Sequence, residues 1–101
     1  MPLPNFVELE NITHTSIDVG TTSTTACGKN PSSRYRLLVN ISDTDMFLSM
    51  NGEAALSKGV KLYANGGSYE MGIKWGNLYA GACYIIHGGS GNKTLLVTEG
   101  R

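Results

Sequence analysis

From residue 11 onward, apolar and polar side chains alternate in short runs broken by glycine, asparagine and proline. Asn11 to Val19 is polar with β-branched residues, and Ile12 and Ile17 differ in parity, so no clean one-sided face is evident. Thr21 to Cys27 is rich in threonine and serine, which suits an edge strand or a loop. Gly28-Lys29-Asn30-Pro31-Ser32-Ser33 is a turn or loop. Arg34 to Ile41 alternates at its start and then becomes apolar, as a strand entering a core does. Met46, Leu48 and Met50 share one face of the next run, and Asn51-Gly52 marks a tight turn because both residues tolerate positive φ. Glu53 to Lys58 has helical composition but is too short for a stable helix, so a single helical turn or a loop is expected. Val60-Lys61-Leu62-Tyr63 alternates again. In Ser68 to Ile73, Tyr69, Met71 and Ile73 fall on one face, and Trp75-Gly76-Asn77 turns the chain. Leu78 to Ile86 is the longest predicted strand. His87 to Asn92 is a glycine loop, and Lys93 to Thr98 closes the sheet.

Seven or eight short strands at roughly 8–12-residue spacing predict a β-sandwich or small barrel. No helical pattern of about ten residues appears, which argues against an α/β fold. Residues 1–10 differ from the rest. Pro2 and Pro4 block ladder hydrogen bonding, while Leu3, Phe6, Val7 and Leu9 offer apolar side chains. The expected organisation is an extended N-terminal arm over 1–10 and a β-sandwich domain over 11–101. A tail lying along its own domain, or a disordered one, is the alternative reading of the arm.

A chain of 101 residues makes one domain with a limited core, to which partner subunits can add stability. Charged residues are 16% and the formal net charge is zero. That balance argues against electrostatic nucleic-acid binding and against a polybasic membrane contact. No apolar stretch approaches the ~20 residues of a membrane-spanning helix. The first residues lack a charged region followed by an apolar core, so either synthesis and use from the cytoplasm or a mature or trimmed form is expected.

Candidate chemistry is sparse. Gly88-Gly89-Ser90-Gly91-Asn92-Lys93-Thr94 approaches a phosphate loop, but Asn92 stands where glycine must precede Lys-Thr, and a strand follows instead of a helix. His14 and His87 are the two histidines, with no metal-ligand spacing around them, and His87 at a strand end reads as a solvent-facing polar residue. Asp43 and Asp45 lack the glycine and glutamate of a calcium loop, so they read as turn residues. No nucleophile motif surrounds a serine, and nothing selects a carboxylate pair among Glu53, Glu70 and Glu99. These absences predict a protein that is not an enzyme and uses no metal or cofactor. Cys83, inside an apolar run, reads as a buried free thiol ahead of a disulfide with Cys27 or a reactive thiol. Tyr63, Tyr69, Trp75 and Tyr79 lie close in sequence. Packing in the core or between subunits is the favoured use of these four, and a platform for sugar rings is the other.

Several phrases also carry a resemblance. Arg36-Leu37-Leu38-Val39-Asn40-Ile41 is followed by Met46-Phe47-Leu48-Ser49-Met50. Then come Gly59-Val60-Lys61-Leu62, Gly66-Gly67-Ser68-Tyr69-Glu70, Leu78-Tyr79-Ala80-Gly81 and Leu96-Val97-Thr98-Glu99. Their order over residues 34–100 resembles small β-rich virion proteins of tailed bacteriophages, of the capsid decoration (cement) type. Residues 1–33 match no part of that pattern, and the polar strands before residue 28 depart from it. The resemblance implies a β-sandwich or jelly-roll-like fold without catalysis, placed on the capsid exterior. Its implied partners are the major capsid protein and further copies of itself, for which a trimer is expected from the threefold sites of capsid lattices. Pro2, Leu3, Pro4 and Phe6 are the candidate contact with the shell or a neighbour. The alternatives are a tail, connector or fibre component, or a host-glycan-binding module.

Overall fold

A computed structural model of the chain describes Leu9 and residues 11–101. The expected arm residues Pro2, Leu3, Pro4 and Phe6 lie outside the described residues.

Among the described residues, eight strands form in chain order: β1 (Ile12–Val19), β2 (Thr24–Cys27), β3 (Tyr35–Asn40), β4 (Met46–Met50), β5 (Val60–Leu62), β6 (Gly67–Gly72), β7 (Cys83–His87) and β8 (Lys93–Gly100). They build two four-stranded sheets, β1-β8-β3-β6 and β2-β7-β4-β5, with every pairing antiparallel. The pattern has a simple origin. β4 pairs with β5, β3 with β6, β2 with β7 and β1 with β8, as in one long hairpin folded at residues 51–59. Rolling that hairpin adds the β3–β8 and β4–β7 pairings and splits the strands between two layers. This is the jelly-roll order, a double-sheet architecture in which both layers contribute to one core. The sandwich expectation is met.

The core lies between the layers. Val19, Leu38, Met71, Leu95 and Val97 enter from the first sheet, and Ala26, Cys27, Met46, Leu48, Leu62, Cys83 and Ile85 from the second. Met46 and Leu48 are buried and Met50 packs at the margin, so the one-face expectation for that run is met.

Turns follow their residue chemistry. Asn51 has φ 62° and Gly52 φ 141°, the positive angles that the Asn-Gly pair predicted. Gly59 opens β5 at φ 88°, and a Cβ there would sit 2.2 Å from the Leu48 carbonyl oxygen, so the approach of β5 to β4 requires glycine. Glu53 to Lys58 is a loop with a turn at residues 56 and 57, not a helical turn. It is anchored by the Ala54 amide donating to Ser23 Oγ at 2.9 Å.

Three local expectations need correction. Leu78 to Ile86 is not one strand; residues 78–82 are irregular and β7 begins at Cys83. Ile73 does not continue the face of Tyr69 and Met71. It begins a 3₁₀ turn, Ile73–Trp75, closed by Gly76 in the left-handed region, and it is half exposed. His87 is fully buried rather than solvent-facing. Its Nε2 donates to the Gly91 carbonyl at 2.7 Å and its Nδ1 accepts from the Gly89 amide at 3.0 Å, so the ring organises the glycine loop behind it.

Candidate functional site

Strand β3 sets the chemistry of the molecule. Its residues alternate strictly, with Arg36, Leu38 and Asn40 buried and Tyr35, Leu37 and Val39 only partly so. The set with two polar side chains faces the core, and the more apolar set, Tyr35, Leu37 and Val39, faces out. That is the reverse of the usual assignment for a half-buried strand.

The inward polar residues are satisfied at both ends of the strand. Arg36 has no exposed surface. Its Nε donates to Glu99 Oε2 at 2.7 Å, on the directly opposed residue of β8. Nη1 donates to the carbonyls of Tyr79 and Gly81, each at 2.7 Å, and Nη2 to those of Gly28 at 2.8 Å and Ala80 at 3.3 Å. The guanidinium fork thus gathers β8, the loop after β2 and the segment before β7. It also explains why residues 78–82 are not strand: the carbonyls of Tyr79, Ala80 and Gly81 point at Arg36 instead of at a neighbouring strand. At the far end of β3, Asn40 Nδ2 donates to the carbonyls of Thr44 at 2.8 Å and Leu62 at 3.0 Å. Its Oδ1 accepts from the Ser42 amide and hydroxyl.

Cys27 and Cys83 stand opposite each other across β2 and β7, beside a bulge, and both are free and buried. The free-thiol expectation for Cys83 is met. The hydrogen bond from the Cys27 thiol lowers the Cys83 thiol to about 7 against the opposing effect of burial, and the Arg36 charge and its 3.5 Å contact to the sulfur help. The same thiol–thiol bond, with burial, pushes Cys27 up.

The outward face of the first sheet is different in character. Val39 lies opposite Leu96, Leu37 opposite Thr98, and Ile12 at the far strand opposite Gly100. Ile12, Ile41 and Leu96 are exposed, and an apolar band runs along β3 and onto Leu96 of β8, bordered by Glu70 and Ser68 on β6 and by His14 and Ser16 on β1. Tyr35 continues that band. Its ring lies 6.4 Å from Trp75, centre to centre, at 47°. Its hydroxyl donates to Glu70, and that bond, ahead of partial burial, raises the phenol to about 12.

The four aromatics singled out from sequence do not assemble into one surface. Tyr69 and Tyr79 pack against the core. Tyr63 is 64% exposed with Lys61 Nζ 4.7 Å from its ring centre. Trp75 is 56% exposed and meets Tyr35, a residue that spacing alone did not pick out. Asp43 and Asp45 pair with Lys93 at 3.0 Å and Lys61 at 3.4 Å. Among the described residues, no three acidic, histidine or cysteine side chains converge as metal ligands, and no helix is long and apolar enough to cross a membrane.

Compared with known proteins, the chain matches no family model, no curated protein and no solved structure. What it is similar to is thus given by its architecture alone: an eight-stranded jelly roll whose third strand turns its apolar side to solvent.

Two predictions follow from this geometry. Arg36→Met removes the cation from Glu99 and a donor from four carbonyls, of which Ala80 keeps the Asn30 amide, and urea unfolding should register a loss of about 3–5 kcal/mol. Arg36→Lys should recover only part of it, because one ammonium cannot reach every partner. For Tyr35, the raised phenol contributes stability that is complete below pH 10 and is lost as pH rises through about 12. Ultraviolet titration of Glu70→Gln should therefore show one tyrosine ionising at lower pH than in the native protein. An unchanged titration curve would contradict the Tyr35–Glu70 link.

Proposed function

We propose that this chain is a non-enzymatic virion structural protein that binds the exterior of a bacteriophage capsid and stabilises it. The observation that carries the reading is the inverted strand β3, which presents Tyr35, Leu37 and Val39, with Ile41 beyond its end, on an outer sheet face also bearing Leu96 and Ile12. A small domain that turns the more apolar face of β3 outward, and spends hydrogen bonds to keep Arg36 and Asn40 inside, has a surface suited to a protein partner.

Three further features support the reading. The jelly-roll order recurs in viral capsid proteins, although it also serves lectins and cupins and fixes no function by itself. The zero formal net charge reduces repulsion between copies packed on a lattice. The order of phrases over residues 34–100 resembles the decoration proteins. The partner is the major capsid protein. The mechanism is mechanical: each copy bridges neighbouring capsomers, and many weak identical contacts on a symmetric shell add through avidity. The segment holding Pro2, Leu3, Pro4 and Phe6 supplies a second contact. A tail, connector or fibre position would use the same surface on another part of the particle.

Exposed Trp75 beside Tyr35 favours one second reading, a module that stacks sugar rings of a host glycan.

The test mixes the purified protein with capsids that lack it and follows cosedimentation. Saturable binding at a fixed ratio to capsid protein is expected. Leu96→Asp, and separately removal of residues 1–8, should each lower occupancy while the thermal unfolding of the domain persists. Absence of binding, together with glycan binding that Trp75→Ala abolishes, would overturn the capsid reading in favour of the second.

A further inference from the structure

The four sheet edges are guarded unequally. β5 has only three residues, and β2 has four with a bulge. On β6, the Asn77 side chain occupies the open edge: its Oδ1 accepts from the Gly72 amide at 2.9 Å and its Nδ2 donates to the Glu70 carbonyl at 3.0 Å. β1 has none of these protections. It runs eight residues without proline, lysine or bulge, and among the described residues it pairs on one side only, with β8. A long unguarded edge is a template for another strand.

The register of β1 fixes which backbone groups are open. Asn11 and Arg101 exchange two backbone hydrogen bonds, at 3.0 and 2.9 Å, just beyond the strand ends. Alternation then assigns the bonds to β8 to Thr13, Thr15, Ile17 and Val19. Ile12, His14, Ser16 and Asp18 direct their N–H and C=O groups away from β8, to the open edge. No described residue pairs with them.

We infer that β1 is the contact between two copies of this chain, joined antiparallel about a twofold axis at Ser16 so that two first sheets become one eight-stranded sheet. Even-numbered residues must oppose even-numbered ones for the open groups to meet. With the axis at Ser16, His14 lies opposite Asp18 of the partner subunit, and Asp18 opposite His14 of the partner subunit. These are the only two ionisable side chains of the strand. His14 Nδ1 is already engaged with Thr98 Oγ1 at 2.9 Å, which leaves Nε2 for the carboxylate. On the inner side, Thr15 covers the half-buried Ile17 of the partner subunit. Moving the axis to Thr15 sets Ile12 against Asp18, and moving it to His14 sets two imidazoles against each other. Charge complementarity selects the Ser16 register. The contact is isologous and closes at two copies, in place of the trimer suggested by capsid symmetry. It does not depend on the capsid reading, since it forms in free protein.

Sedimentation equilibrium of the purified protein alone tests it. A dimer is expected. Ser16→Pro should give a monomer that keeps its β-sheet circular dichroism, because the Ser16 amide makes no bond to β8. Asp18→Lys should weaken the dimer by about tenfold, and adding His14→Glu should restore it. A monomer or trimer at all concentrations, or a dimer indifferent to Ser16→Pro, would overturn the proposal. Failure of His14→Glu to restore the Asp18→Lys dimer would overturn the register. Dimerisation without capsid binding would leave this contact standing and count against the proposed function.

Discussion

A guanidinium cannot be placed in a protein interior unless every donor finds an acceptor, because its desolvation costs several kcal/mol. Arg36 meets that condition with one carboxylate and four backbone carbonyls drawn from three separate parts of the chain. Those partners lie in β8, the strand paired with β3, and in the segments that follow β2 and precede β7. A single cation therefore ties the first sheet to the loops of the second at one end of the sandwich. Asn40 does the corresponding work at the other end, holding the Ser42–Thr44 turn and the end of β5. The apolar core between them is small, and these two polar nodes fix how the layers sit on each other.

The same constraint shapes the surface. If Arg36 and Asn40 are to face inward, the strand's period of two forces Tyr35, Leu37 and Val39 outward. The outer apolar band is the geometric consequence of the buried polar nodes. It gives the proposed capsid contact its location, with the Tyr35–Trp75 pair at its margin. The open edge of β1 lies in the same sheet, so lateral pairing of two copies would extend this outer face rather than hide it.

Much of the architecture was legible in the residue pattern. The strand spacing, the Asn51-Gly52 turn and the shared face of Met46, Leu48 and Met50 follow from local chemistry, and local chemistry prevailed there. Where hydrogen bonds between buried side chains and the backbone prevailed, the pattern misled. Leu78 to Ile86 has strand composition throughout, but Arg36, more than forty residues away in sequence, captures the carbonyls of its first half. His87 looks like a surface residue beside glycines, yet those glycines supply the amide and carbonyl that bury it. The inversion of β3 had a visible trace in the alternation of Arg36, Leu38 and Asn40 against Tyr35, Leu37, Val39 and Ile41. Periodicity identifies the two faces; it cannot say that a buried network will outweigh the more apolar one. Tyr35 escaped notice as a partner of Trp75 because forty residues separate them.

The central claim is that the Arg36 node is part of the global fold and not a local clasp. Native-state hydrogen exchange of the Asn30 amide tests it most directly, since that amide donates to the Ala80 carbonyl beside the guanidinium, at 2.8 Å. The account predicts that Asn30 exchanges only through global unfolding, with the same denaturant dependence as the central amides of β3 and β8. Exchange of Asn30 through a low-energy local opening, while β3 and β8 stay protected, would contradict it.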